Sequence, residues 1–183
     1  MREKLITLIT IFSVLLFTAA GHTGSNNKRK NRVLTPLNKT QIITALKCGY
    51  KEVFNKNPDD NTIAMSLAQI NLENAHGKVI YNNNLGNVGS RRGQSVPYYL
   101  LGGTKFISHK TPCSGAVSYW GYLNTLCSDA LVCFSLGRPV MASHLLRRCN
   151  YYTAPKQKYT KVLSLLFPKA LKRVKNLKQK SKK

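Results

Sequence analysis

Apolar residues return at three- and four-residue steps along most of the chain, so the pattern predicts helices before any other element. Ile42, Ile43, Leu46, Tyr50, Val53 and Phe54 mark the first of them, with Pro36 and Asn38 leading in and Thr40 able to cap it. Asn55-Lys56-Asn57-Pro58 breaks that helix. Asp59 or Asp60 caps the next, whose apolar positions (Ile63, Met65, Leu67, Ala68, Ile70, Leu72) leave a narrow polar face and predict a mostly buried rod. It ends at Glu73-Asn74-Ala75-His76-Gly77, and a Gly/Asn-rich stretch from Tyr81 to Gly89 follows. Between Gln94 and Ile107 the spacing shifts towards strands, with Gly102-Gly103 as the turn joining Tyr98–Leu101 to Lys105–Ile107. Helical patterns return over Gly115 to Leu136, Pro139 to Cys149 and Pro155 to Phe167. Leu163, Leu166, Ala170, Val174 and Leu177 carry the last one onward as a basic amphipathic helix. No internal repeat is visible. The expectation is a mainly α (α+β) domain with a small β-hairpin insertion.

The two ends depart from this pattern. Met1 to Lys4 is charged, Leu5 to Phe17 is almost wholly apolar, and Thr18-Ala19-Ala20-Gly21 supplies small residues, which together read as a cleavable signal peptide over 1–21. The apolar run falls short of the roughly 20 residues that span a bilayer, which favours cleavage over anchoring. Residues 22–36 are polar and basic without periodicity and read as a flexible arm. Residues 168–183 form a basic C-terminal tail. The expected location is therefore secreted or periplasmic.

Charge narrows the partners. The 183 residues include 29 Lys and Arg against 6 Asp and Glu, a formal net charge of +23. Such a surface attracts polyanions, and the basic ends suit an anionic cell wall or membrane surface. Nucleic acid is disfavoured, because aromatic residues do not interleave with the basic runs as a stacking platform requires. With so few acids, no carboxylate-rich metal cage is expected and no cofactor is called for. Export permits disulfides among Cys48, Cys113, Cys127, Cys133 and Cys149, but the number is odd and spacing alone does not pair them. Small buried thiols are the equal alternative.

Among the acids Glu73 stands apart. A carboxyl group closing a buried helix at the wall of a cleft is poorly solvated, so its neutral form is favoured and it suits a general acid. The plain alternative is a solvated helix-end glutamate. Asn82, Asn83, Asn84 and Asn87 can offer amides to sugar hydroxyls and N-acetyl groups. The order of motifs resembles the lysozyme-like peptidoglycan glycosidases, a group that includes bacterial glucosaminidase and lytic transglycosylase domains. Carrying the resemblance are Ser66-Leu-Ala-Gln-Ile-Asn-Leu-Glu73-Asn-Ala-His-Gly77, then Tyr81-Asn-Asn-Asn-Leu-Gly-Asn-Val88, then Phe106 with Gly115 to Tyr122. Leu145 with Asn150-Tyr151-Tyr152-Thr153 and Tyr159 completes it. It spans roughly Leu37 to Phe167 and implies a lysozyme-like catalytic domain over 37–167, with the hairpin lining the cleft. Glu73 would be the catalytic acid, with Asn83, Asn84, Asn87 and Tyr151 binding substrate. Gly86, His109, Asn150 and Ala154 depart from the group's usual residues, which leaves the subfamily open.

The remaining acids bear on mechanism. Asp59 and Asp60 lie at the far end of the Glu73 helix, ~20 Å away at ~1.5 Å per residue, and Glu52 lies on the polar side of its helix. Asp129 has no evident place. A retaining or inverting pair needs carboxyl groups about 5 or about 6.5–9.5 Å apart. A single-acid mechanism is the expectation, in a muramidase or lytic transglycosylase rather than an N-acetylglucosaminidase, cutting β-1,4 bonds between amino sugars. The rival is a non-catalytic cationic envelope- or membrane-binding protein. His76 and His109 are further titratable candidates, His76 within reach of Glu73 or the sugar with surface placement as the plainer reading; Trp120 with Tyr119 and Tyr122 could stack on a sugar ring, with core packing as theirs.

Overall fold

The computed structural model describes residues 29–90 and 94–180; the expected signal peptide over 1–21 and residues 22–28 of the expected arm lie outside it. The first helix, α1 (Lys39–Phe54), is capped by Asn38 and not by Thr40. Asn38 Oδ1 accepts from the Gln41 N–H at 3.0 Å while Gln41 Oε1 accepts from the Asn38 N–H at 2.8 Å, so one reciprocal pair satisfies two helix-end donors. In α2 (Asp60–Glu73), Asp59 caps by accepting from Thr62 N. Every residue from Thr62 to Asn71 is buried, which makes α2 the central rod of the fold.

A 3-10 turn (Ala75–Gly77) and the Asn-rich loop lead to an antiparallel hairpin, β1 (Tyr98–Leu101) and β2 (Thr104–Ile107), in register Tyr98↔Ile107 to Leu101↔Thr104. Gly102 and Gly103 both hold positive φ, +54° and +81°, as a tight two-residue turn demands. Where one helix is expected from Gly115 to Leu136, two form: α3 (Pro112–Leu126) and α4 (Ser128–Ser135). They part at Cys127, whose backbone leaves helical geometry (φ −129°, ψ 34°) and whose sulfur is bonded to Cys149 at the end of α5 (Pro139–Arg148). Apolar periodicity runs through such a kink without registering it.

The last helix, α6 (Lys156–Lys180), continues through Pro168. Its buried residues Tyr159, Leu163, Phe167, Ala170 and Val174 pack it along α2. The basic tail is thus half core helix as far as Lys180. Similarly, residues 29–35 of the expected arm run as an extended strap. Lys30 N donates to Tyr98 O, Thr35 N to Ile80 O, and Val33 exchanges bonds with Asn82. Arg32 lies over the Tyr81 ring, 5.0 Å from its centroid.

Elsewhere in the core, α1 and α3 come very close to one another. A Cβ on Gly49 would meet Ala116 and Val117 backbone atoms at 2.6 Å, and Trp120 Nε1 donates to Leu46 O at 2.9 Å. The Cys48–Cys113 disulfide ties the same two helices, and Cys133 remains a buried free thiol. Among the described residues no helix is long and apolar enough to cross a membrane.

Candidate functional site

Glu73 is the last residue of α2, and the chain is forced out of the helix directly behind it. Ala75, His76 and Gly77 all take positive φ, and a Cβ on Gly77 would fall 2.4 Å from the Leu37 carbonyl. Buried Asn74 then ties the helix end to the Asn-rich loop by donating Nδ2 to Leu85 O at 2.6 Å. The helix end that carries the carboxyl group is therefore tied to the chain that follows it.

Glu73 is half-buried, and its Oε1 is shielded from solvent without a hydrogen-bond partner. Among the described residues it makes no ion pair. Burial raises its pKa, and the Tyr159 phenol opposes the shift in part. The Tyr159 oxygen is itself buried without a partner, so the two oxygens lie near one another without closing a hydrogen bond. Tyr119, fully buried, donates to Gln69 Oε1 at 2.6 Å; its phenol and those of Tyr151 and Tyr159 all have raised pKa values, burial first and the Glu73 charge contributing. Glu73 thus stands among neutral tyrosines, a setting that favours its protonated form.

The loop needs its asparagines for shape. Asn82, Asn83 and Asn87 hold left-handed backbone (φ 50°, 55° and 49°), which Asn tolerates better than other side chains. Asn84 is fully buried: Nδ2 donates to Val88 O and Ile107 O while Oδ1 accepts from Val88 N. That amide braces the loop against β2, with no face left for a ligand. Asn83 donates Nδ2 to His109 O and its N–H to Thr35 Oγ1, and its carbonyl presses on Gly115 of α3.

Asn87 and Tyr151 are half-buried. They share a cleft of about 340 Å³ with Gly86, Val88, Gly89, Ser90, Tyr122, Leu126 and Asn150. A second hollow of about 220 Å³ shares Val88, Gly89 and Tyr122 and continues along α3 past Ser118, Gly121 and Thr125. Ile107, the last hairpin residue, lines it, as the expected insertion beside a cleft should. Tyr151 donates to Gly86 O at 2.8 Å and meets Tyr119 and Tyr122 edge-on. It is common to both settings, lining the cleft while its phenol senses the Glu73 charge. Glu73 itself is not among the residues lining these two hollows.

The other candidates separate cleanly. Trp120 and Tyr119 are core; of that aromatic group, Tyr122 reaches the cleft. His76 is exposed, whereas His109 is half-buried with its pKa lowered to about 4 by burial, so it is neutral and shielded at Nε2. Asp59 caps the far end of α2, Asp60 pairs with Lys178 at 3.4 Å, and Glu52 and Asp129 are exposed. No second carboxyl group contributes to the Glu73 shift. Among the described residues no three His, Cys, Asp or Glu side chains gather as a metal site.

The contact at Gly115 yields a sharp expectation. A Cβ there would lie 1.8 Å from the Asn83 carbonyl, backbone against helix, so Gly115→Ala must displace the loop. We expect a loss of about 2–3 kcal/mol by urea denaturation, the upper range for overpacking. Gly121→Ala, six residues on with nothing within 4 Å of its Cβ, is expected to be neutral or slightly stabilising.

No family model and no curated protein matches the chain. Among solved structures the fold is similar to the glycoside hydrolase domain of Salmonella typhimurium FlgJ. The match has a TM-score of 0.50 and 14% sequence identity, covering 80% of this chain and 94% of that one. At that identity the likeness is one of fold: mainly helical with a small antiparallel hairpin, as in a lysozyme-like fold.

Proposed function

We propose that the chain is an exported peptidoglycan glycosidase that uses Glu73 as its single general acid and base. The observation that carries this reading is a helix-end carboxyl group with a raised pKa, an unpartnered shielded oxygen and no counter-ion among the described residues, whose charge is felt by Tyr151 at the wall of the cleft. The fold likeness and the two disulfides, which suit an oxidising compartment, support it.

Protonated Glu73 gives its proton to the glycosidic oxygen as the C1–O bond breaks, leaving an oxocarbenium-like sugar. The carboxylate then accepts a proton from the nucleophile that attacks C1. Water as nucleophile gives a reducing end. A hydroxyl of the same sugar gives an anhydro end. Among the described residues no second carboxyl group acts on Glu73, which favours a muramidase or lytic transglycosylase over a two-carboxylate glucosaminidase. Asn87 and Tyr151 would touch the glycan, with Asn150 and Tyr122 beside them. Asn83 and Asn84, read as binding residues from sequence, would instead hold the loop in place.

The test is a mass-spectrometric digest of purified peptidoglycan by the chain lacking residues 1–21. We expect muropeptides with muramic-acid ends, reducing or anhydro. No release from several wall types, by a protein that still binds them, would replace this reading with a non-catalytic cationic binder.

A further inference from the structure

The amphipathic reading of the C-terminal helix invites insertion into a membrane surface. Phe167, Ala170 and Val174, on the apolar stripe of α6, are buried against the core and so are not available to a bilayer. Its opposite face forms something else. Lys169, Lys172, Arg173, Asn176, Leu177 and Lys180 line a hollow of about 360 Å³, closed on one side by Lys39 from the first turn of α1. Five lining residues are cationic and none is acidic. Lys178, the α6 lysine paired with Asp60, is not among them.

Three features distinguish this hollow from ordinary basic surface. It is concave and built from two elements far apart in sequence. Lys169 repels Lys172 and Arg173 at three- and four-residue spacing, an arrangement that disfavours the helix unless something negative is near. The cations Lys169, Lys172, Arg173 and Lys180 extend ~16 Å along α6, with Asn176 between the last two. That length suits several charges of an extended polyanion rather than a single small anion. Lysine offers phosphate a compact charge and Arg173 a forked donor, with the Asn176 amide beside them. No aromatic side chain lines the hollow to stack on a base.

We propose that this hollow binds a linear phosphodiester polymer without nucleobases, such as a polyol phosphate chain, independently of Glu73. The site is remote in sequence from the cleft and anchors the protein while the glycan is handled elsewhere.

The experiment measures binding of the chain lacking residues 1–21 to a poly(glycerol phosphate) of ten units, to a ten-residue oligothymidylate, and to phosphatidylglycerol vesicles. The variants are Lys169→Ala/Lys172→Ala/Arg173→Ala and, as a charge-matched control, Lys156→Ala/Lys158→Ala/Lys161→Ala, all at exposed positions of α6. For wild type and poly(glycerol phosphate), log affinity against log salt should fall with a slope of about −3, as roughly four to five neutralised phosphates imply. The hollow variant should bind about 10-fold or more weakly and the control less than about 3-fold. Equal losses in the two variants would mean undirected charge attraction and overturn the proposal. Oligothymidylate held more tightly than the polyol chain would point to nucleic acid and overturn it. Vesicle binding that is lost in the hollow variant, with no affinity for the free polymer, would assign the site to lipid and overturn it as well.

Discussion

Glu73→Gln is expected to lower muropeptide release from purified peptidoglycan by about 10³-fold, within the range for losing a positioned general acid, while the protein stays folded. The amide keeps the shape of the carboxyl group but has no proton of suitable acidity for a leaving sugar oxygen. Stability should respond in the opposite sense, because the wild-type carboxyl group pays for its charge. Its folded pKa lies above the ordinary 4.5, so between those two values the folded chain binds more protons than the unfolded one. Stability then falls as pH rises through that window and stays lowered above it. Glutamine titrates nowhere. The difference in Tm between Glu73→Gln and wild type should therefore grow in favour of the variant from pH 4 to pH 8, and a scan at several pH values reads it directly. A variant of unchanged activity would remove Glu73 from catalysis; a flat Tm difference would show a solvated carboxyl group.

The second large effect is expected at Cys48–Cys113. This disulfide closes a sequence separation of 65 residues, and the loop-entropy relation assigns such a closure about 4 kcal/mol. Cys127–Cys149 spans 22 residues, for which the same relation gives about 3 kcal/mol. Against total stabilities of roughly 5–15 kcal/mol the first loss is severe. Cys48→Ala/Cys113→Ala should lower the urea midpoint more than Cys127→Ala/Cys149→Ala. The first pair also holds α1 against α3 where Gly49 permits near-contact, so its removal loosens the wall that carries Trp120. Equal midpoints for wild type and the Cys48/Cys113 variant would mean that packing alone maintains that contact.

Local rules recover most of this architecture and fail where a residue answers to distant neighbours. The α2 rod, its Asp59 cap, the hairpin and its Gly-Gly turn are written in spacing and turn chemistry. The break at Cys127 is not, because an apolar run looks the same whether or not a disulfide interrupts it. Asn38 outcompetes Thr40 as cap because Gln41 can reciprocate, a pairing visible in Asn38-x-x-Gln41 once the box is sought. At the site, Glu73 is legible as the helix-closing acid, but its setting is not. Tyr119 and Tyr159 come from α3 and α6, and helical spacing alone does not tell a core tyrosine, which both are, from one that also surrounds the acid. The amides of the loop mislead in another way. A run of asparagines advertises donors for a ligand, yet Asn84 spends all of its own on Val88 and Ile107, and only the fold reveals which direction each one faces.

The buried thiol of Cys133 gives the chain a combinatorial problem at birth. Five cysteines can form two bridges in about 15 ways, and Cys133 lies only six residues from Cys127 and so competes for every partner in an open chain. In the folded chain its sulfur is buried and unbonded, so burial of Cys133 ahead of oxidation would remove the competitor. Cys133→Ala should refold oxidatively in higher yield than wild type, with the same two bridges and the same final stability to within the cost of one small cavity.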